Sequence, residues 1–244
     1  RGLDFGNLRQ LCVPDHVEHF LATGMKHLSG HSKASYGSAL HRIAKRTNPR
    51  VGWAPPPTKH ARKALSDPYD EHEVEWLHAI ASTQGTEARR RAALTVWCLS
   101  YGAGLQGPEF GTLPGDAVRV VDGVAVVDVP GANARTVPVL GCARDDLLEL
   151  AARYPDRPMF SDRAPSRNWT ASVLAGEQIP RGAPRFTSRR LRISWMVTLT
   201  VAGVRISELM DLAGRETTNG FEDLARFIPQ RSATDLRRLI GGVK

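Results

Sequence analysis

Apolar residues recur at helical spacing over most of this chain and alternate as in strands in only one region. In residues 15–29, Val17, Phe20, Leu21, Met25 and Leu28 fall three or four apart behind Asp15, as in a capped amphipathic helix. Residues 32–47 open with Ser32 and carry the stripe Tyr36, Leu40, Ile43 and Ala44. Lys33, Arg42, Lys45 and Arg46 lie mostly off that stripe, so this helix is predicted to bury the stripe and show a basic face. The stretch 48–59, NPRVGWAPPPTK, contains Asn-Pro and three consecutive prolines, which stop a helix. It reads as a short stiff connection, with Trp53 placed to pack under it or to meet a ligand. A basic turn, KHARKA at 59–64, follows. Asp70 and Glu73 then have the spacing of a capping box before Val74, Leu77 and Ile80. Residues 87–100 predict a helix whose second half is buried, and YGAGLQGPEFGTL at 101–113 a glycine-rich break into a short helix. Three short strands are expected at 117–121, 124–129 and 135–139, with Asp122-Gly123 as the hairpin turn between the first two. Helices are expected at 143–153, near 169–175, and at 187–201, 203–212, 217–228 and 232–240.

This order of elements predicts a mainly α fold with a small antiparallel β-hairpin sheet. The expected organisation is a small basic helical domain at 1–58, a linker at 59–66 and a larger α+β domain at 67–244. With 244 residues, 41% hydrophobic and 24% charged, the chain can bury a core and is not a disordered or low-complexity one. No apolar run reaches the roughly 18 residues of a membrane span. Residues 1–25 lack the order of a secretion signal, and Cys12, Cys98 and Cys142 fit neither a disulfide framework nor a zinc site. A reduced, cytoplasmic protein without cofactors is therefore expected. His16, His19, His27, His31 and His41 have no carboxylate or cysteine at ligand spacing, so no metal is expected either. The glycines at 102–107 lack the Gly-Lys-(Ser/Thr) ending of a phosphate loop.

Charge changes the picture more than composition does. The net charge is +8, and residues 1–66 alone hold 11 Lys/Arg against 3 Asp/Glu. Residues 178–244 hold 12 against 6, around a net acidic middle. Two basic segments in one chain point to a polyanion as partner, and double-stranded DNA is the expected one.

Several segments resemble the tyrosine recombinase, or phage integrase, family. DPYDEHEVEWLHAI is similar to the opening of that family's catalytic domain, and YGAGLQGPEFGTL to its first arginine box. VPGANARTVPV resembles the hairpin segment ending in Arg-x-Val-Pro, and DDLLELAARYPDRPMF the helix that follows. RRLRISWMVTLTVAGVRISELMDLAGR is similar to His-x-x-Arg-His followed by the Leu-Leu-Gly-His region. SKASYGSALHRI is more loosely similar to a helix of the core-binding domain. The resemblance implies a degenerate catalytic domain preceded by a core-binding-like domain, closing on duplex DNA as a clamp.

The family's chemistry does not carry over with the resemblance. It implies a Tyr nucleophile, two Arg on the scissile phosphate, a hairpin Lys, and His or Trp donors. The first Arg position here is Gln106, and the hairpin Lys falls near Pro130 or Ala132. The His of His-x-x-Arg is Arg189, the second Arg is retained as Arg192, and the Gly-His position is Arg215. The nucleophile falls near Leu224, while the tyrosines are Tyr36, Tyr69, Tyr101 and Tyr154. Thr217 and Thr218 lie near by, with nothing to activate them. The expected function is therefore sequence-specific DNA binding without catalysis, as a transcription regulator or as an accessory or architectural factor in DNA recombination or integration. The expected contacts are Lys33, Arg42, Lys45, Arg46, Arg50, Lys59, Arg62 and Lys63, with Arg189, Arg190, Arg192 and Arg215. A homo-oligomer or a recombinase is a further partner, and association with the nucleoid is expected. The alternatives are an active recombinase or integrase with a non-standard or trans-supplied nucleophile, and a protein-interaction subunit that has kept only the fold.

Overall fold

Between Ala64 and Leu65 the chain of the computed structural model divides into two units. The structure describes residues 7–53, 65–162, 174, 178–216 and 221–242. The smaller unit holds α1 (Leu8–Leu11), α2 (Pro14–Thr23) and α3 (Gly30–Thr47). Pro14 stands in the first turn of α2, where its missing N–H loses no helical bond. Ser29, not Ser32, caps α3 by accepting from the Ser32 N–H at 3.2 Å. Asn48, just past α3, donates to Arg9 O at 2.6 Å and Cys12 O at 2.8 Å, tying that end to α1.

Within this unit α3 is rotated from the orientation its sequence predicts. Its buried line runs through Gly37 and Ala44, while Tyr36 and Ile43 are 55% and 57% exposed. Small residues at 37 and 44 let α3 approach α2 closely. His41 lies between them on the same side, with one ring nitrogen 2.6 Å from Glu18 Oε1 and the other 2.7 Å from Gly37 O. The fold thus supplies His41 with a carboxylate that local spacing does not. Trp53 folds back onto its own unit, with Nε1 donating to Asn48 O at 3.4 Å and its ring edge-on to His41.

The larger unit begins with α4 (Glu71–Ser82), whose capping box of Asp70 and Glu73 is complete. Next come α5 (Glu87–Trp97), a π-turn at Cys98–Gly102 and α6 (Gly107–Phe110). The strands are β1 (Val118–Val121), β2 (Val124–Val129) and β3 (Arg135–Pro138), antiparallel in the order β1-β2-β3. The hairpin turn is the expected one, with φ of 49° at Asp122 and 80° at Gly123 pairing Val121 with Val124. Ala125, Val127 and Val129 of β2 and Val137 of β3 point inward.

Helices α7 (Arg144–Arg153), α8 (Ser188–Val201), α9 (Ile206–Leu212) and α10 (Ala233–Gly241) follow. Part of the helix expected over 217–228 is a 3₁₀ segment at Glu222–Phe227, and residues 217–220, with Thr217 and Thr218, lie outside the described residues. Of the short helix expected near 169–175, only residue 174 is described. One core joins α4, α5, α6, the sheet, α7, α8 and α9 around Trp97, Phe110 and Trp195. Among the described residues no helix is long and apolar enough to cross a membrane.

Gly104 sets the route of the chain out of this core. Its φ is +64°, and a Cβ there would lie 2.2 Å from the Trp195 ring. Only glycine lets the backbone pass so close to the indole in that conformation. The chain then turns outward to Gln106 and α6.

Candidate nucleic-acid interface

A polar cluster in the larger unit gathers three segments distant in sequence. Its centre is the Glu109 carboxylate, 16% exposed, on α6. Glu109 accepts from the Gln106 N–H at 2.6 Å and from Arg135 Nη1 at 2.7 Å. Arg192 Nη1 is 3.5 Å from its second oxygen. Arg135, on β3, also donates from Nε to Leu212 O at 2.7 Å, which ties the hairpin to the end of α9. Gly214, with φ +61°, makes room for this contact, since a Cβ there would lie 2.6 Å from Arg135 Nη1. Arg135 Nη2 is buried, with no hydrogen-bond partner among the described residues.

Arg192 is 5% exposed and donates to Gly104 O at 2.5 Å and Ala213 O at 2.6 Å. Burial pushes its guanidinium down to about 10; Glu109 opposes that, while Arg215 and Arg135 add to it. It is charged at neutral pH and holds the Gly104 loop to the turn after α9. Arg215, on that turn, is exposed, with its guanidinium carbon 5.8 Å from the Phe221 ring centroid. Arg135 and Arg192 thus share the Glu109 carboxylate, and Arg215 is near enough to act on Arg192.

The arginines expected to act together do not all meet here. Arg190 turns to the start of α4, donating to Asp67 O at 2.7 Å and Pro68 O at 3.2 Å. It also lies 3.3 Å from Glu73 and stacks 3.8 Å from the Tyr69 ring centroid. Arg189, in the first turn of α8, is exposed. Gln106 is exposed, and so is the β2–β3 turn with Pro130 and Ala132. Leu224 is 3% exposed and belongs to the hydrophobic core.

In the smaller unit, Arg42, Lys45, Arg46 and Arg50 are exposed. Lys33 departs from them, since it lies one turn before Gly37, on the side that packs, and is half-buried. Lys59, Arg62 and Lys63 lie outside the described residues. Glu109 and Arg135 were not singled out by sequence. Both stand inside the recombinase-like boxes, but their pairing spans 26 residues and no local spacing announces it.

No family model matches the sequence, and no curated protein matches it. Solved structures do resemble it in fold. XerH site-specific recombinase bound to a palindromic difH substrate, in a post-cleavage complex, superposes with a TM-score of 0.62 at 15% identity, covering 98% of this chain and 72% of that one. XerH in a pre-cleavage complex with difH gives 0.62 at 15% identity, over 92% and 70%. Tn1549 transposon integrase in complex with circular intermediate DNA gives 0.59 at 12% identity, over 100% and 88%. The mainly helical fold with its three-stranded sheet is that of the tyrosine recombinases, and the likeness is one of fold.

Proposed function

We propose that this protein binds double-stranded DNA and neither cuts nor rejoins it. The observation that carries this reading is Leu224. The position that the resemblance gives to the nucleophile holds a side chain with no nucleophilic atom, buried in the core. Gln106 supplies no charge where the family has its first arginine, and no Lys stands between residues 64 and 243. Nucleophile, acid and half of the phosphate clamp are then missing together, and such groups act as a unit. Binding needs none of them. The exposed guanidinium of Arg215, beside buried Arg135 and Arg192, suits a backbone phosphate. The smaller unit, in the role of a core-binding domain, adds Arg42, Lys45 and Arg46 on a helix without a single Asp or Glu. A protein of this kind works by occupying a site, as a regulator or as an architectural or accessory factor beside a recombinase, in the cytoplasm at the nucleoid.

Fluorescence anisotropy of a labelled duplex tests this. The full chain should bind at low salt, and a variant with Arg42→Ala, Lys45→Ala and Arg46→Ala should bind at least about tenfold more weakly. Its melting should stay within about 0.5 kcal/mol per substitution, because all three side chains are exposed. No binding of duplex at low salt by the unaltered chain would overturn the reading.

A further inference from the structure

Charge does not account for the outward face of α3. Tyr36 and Ile43 are both more than half exposed and stand seven residues apart, so they lie on one face about 10.5 Å apart along the axis. Ala39 lies three residues after Tyr36 and Arg46 three after Ile43, and both are exposed on the same face. Ser35, Arg42 and Lys45, also exposed, follow it around the helix. Two large apolar groups, with exposed Ala39 and half-buried Leu40 between them, thus stand in water within a field of cations.

We propose that this stripe reads base edges in the DNA major groove, with Tyr36 and Ile43 packing on thymine methyl groups. The inference rests on the reading that the protein binds duplex DNA, and it names the side chains that choose the sequence. An α-helix fits the major groove, about 12 Å wide, and two helical turns cover roughly three base pairs. The one apolar group that bases show there is the C5 methyl of thymine, so an exposed Ile beside cations has a matching partner. Ala39, between the two, is small enough to let the helix approach the base edges closely. Ser35, at the edge of the stripe, can donate or accept toward any base. Arg42, Lys45 and Arg46 then take flanking phosphates, which positions the helix but carries no sequence information. A second copy of this chain is a poorer partner, because two such faces would bring six cations together with no carboxylate on either helix.

The test begins with selection of a preferred site from a random duplex pool by the unaltered full chain. Each thymine of that site is then replaced in turn by deoxyuridine, which removes only the methyl group. At one or two positions the affinity should fall about three- to fivefold, the worth of one buried methyl. The Ile43→Ala or Tyr36→Ala protein should show no such fall at the matching position. An unchanged affinity at every position would overturn the proposal, as would an equal loss in both variants. Tight binding with no selected sequence would also overturn it while leaving DNA binding intact. Absence of any duplex binding at low salt would instead remove the reading beneath it. Sedimentation of the Ile43→Ala protein checks the other occupant, since a change of oligomeric state would make the stripe an interface between copies and overturn base reading.

Discussion

Raising the salt from about 50 to 200 mM should weaken duplex binding on the order of a thousandfold. Each phosphate neutralised by Lys or Arg releases condensed counterions, so log affinity falls with log salt by about 0.9 per contact. A chain whose first 66 residues hold 11 Lys/Arg against 3 Asp/Glu, with Arg215 exposed beside buried Arg135 and Arg192, has the charges for six or more contacts. Replacing Arg42, Lys45 and Arg46 together should flatten the slope by about three, because each removes one contact. Titration of one labelled duplex at four or five salt concentrations checks both statements. A flat response would mean that phosphate contacts do not hold the complex.

Changing Arg192 to Ala should destabilise the larger unit by about 3 kcal/mol, and so lower its Tm by roughly 10 °C. A merely phosphate-gripping arginine would leave stability alone. Arg192 is different, because its guanidinium satisfies Gly104 O and Ala213 O, both in buried positions, and sits beside Glu109. Removing it leaves two carbonyls unpaired and opens a cavity next to Gly104. Thermal unfolding followed by circular dichroism measures this. Unchanged melting with lost DNA affinity would show that Arg192 serves the ligand and not the fold.

The elements most legible in the sequence are those fixed by local chemistry. Asp122-Gly123 tolerates positive φ and so places the hairpin, and Asp70 with Glu73 marks the first residue of α4. The orientation of α3 was not legible. Hydrophobicity favours Tyr36 and Ile43 for the core, but close packing there uses Gly37 and Ala44, and small residues send no strong signal of burial. Nor was the fate of Arg190 legible. Its neighbours in sequence suggest a basic cluster, but its partners, Asp67, Pro68, Tyr69 and Glu73, lie more than 100 residues away. The polar corner was half legible: the boxes with Gln106, Arg192 and Arg215 mark its place, but the carboxylate and guanidinium that build it, Glu109 and Arg135, meet only in the fold.

Binding without strand chemistry can be checked with a suicide substrate. A duplex nicked near the bound site traps any covalent protein–DNA linkage, because the cut end diffuses away before rejoining. Incubated with the full chain and run on a denaturing gel, it should give no shifted band, under salt conditions where anisotropy shows the duplex to be bound. The Leu224→Tyr protein should give none either, since Gln106 and the lysine-free hairpin remain. A band from the unaltered protein that survives boiling in detergent would instead mark the protein as an active strand-transferase with an unusual nucleophile.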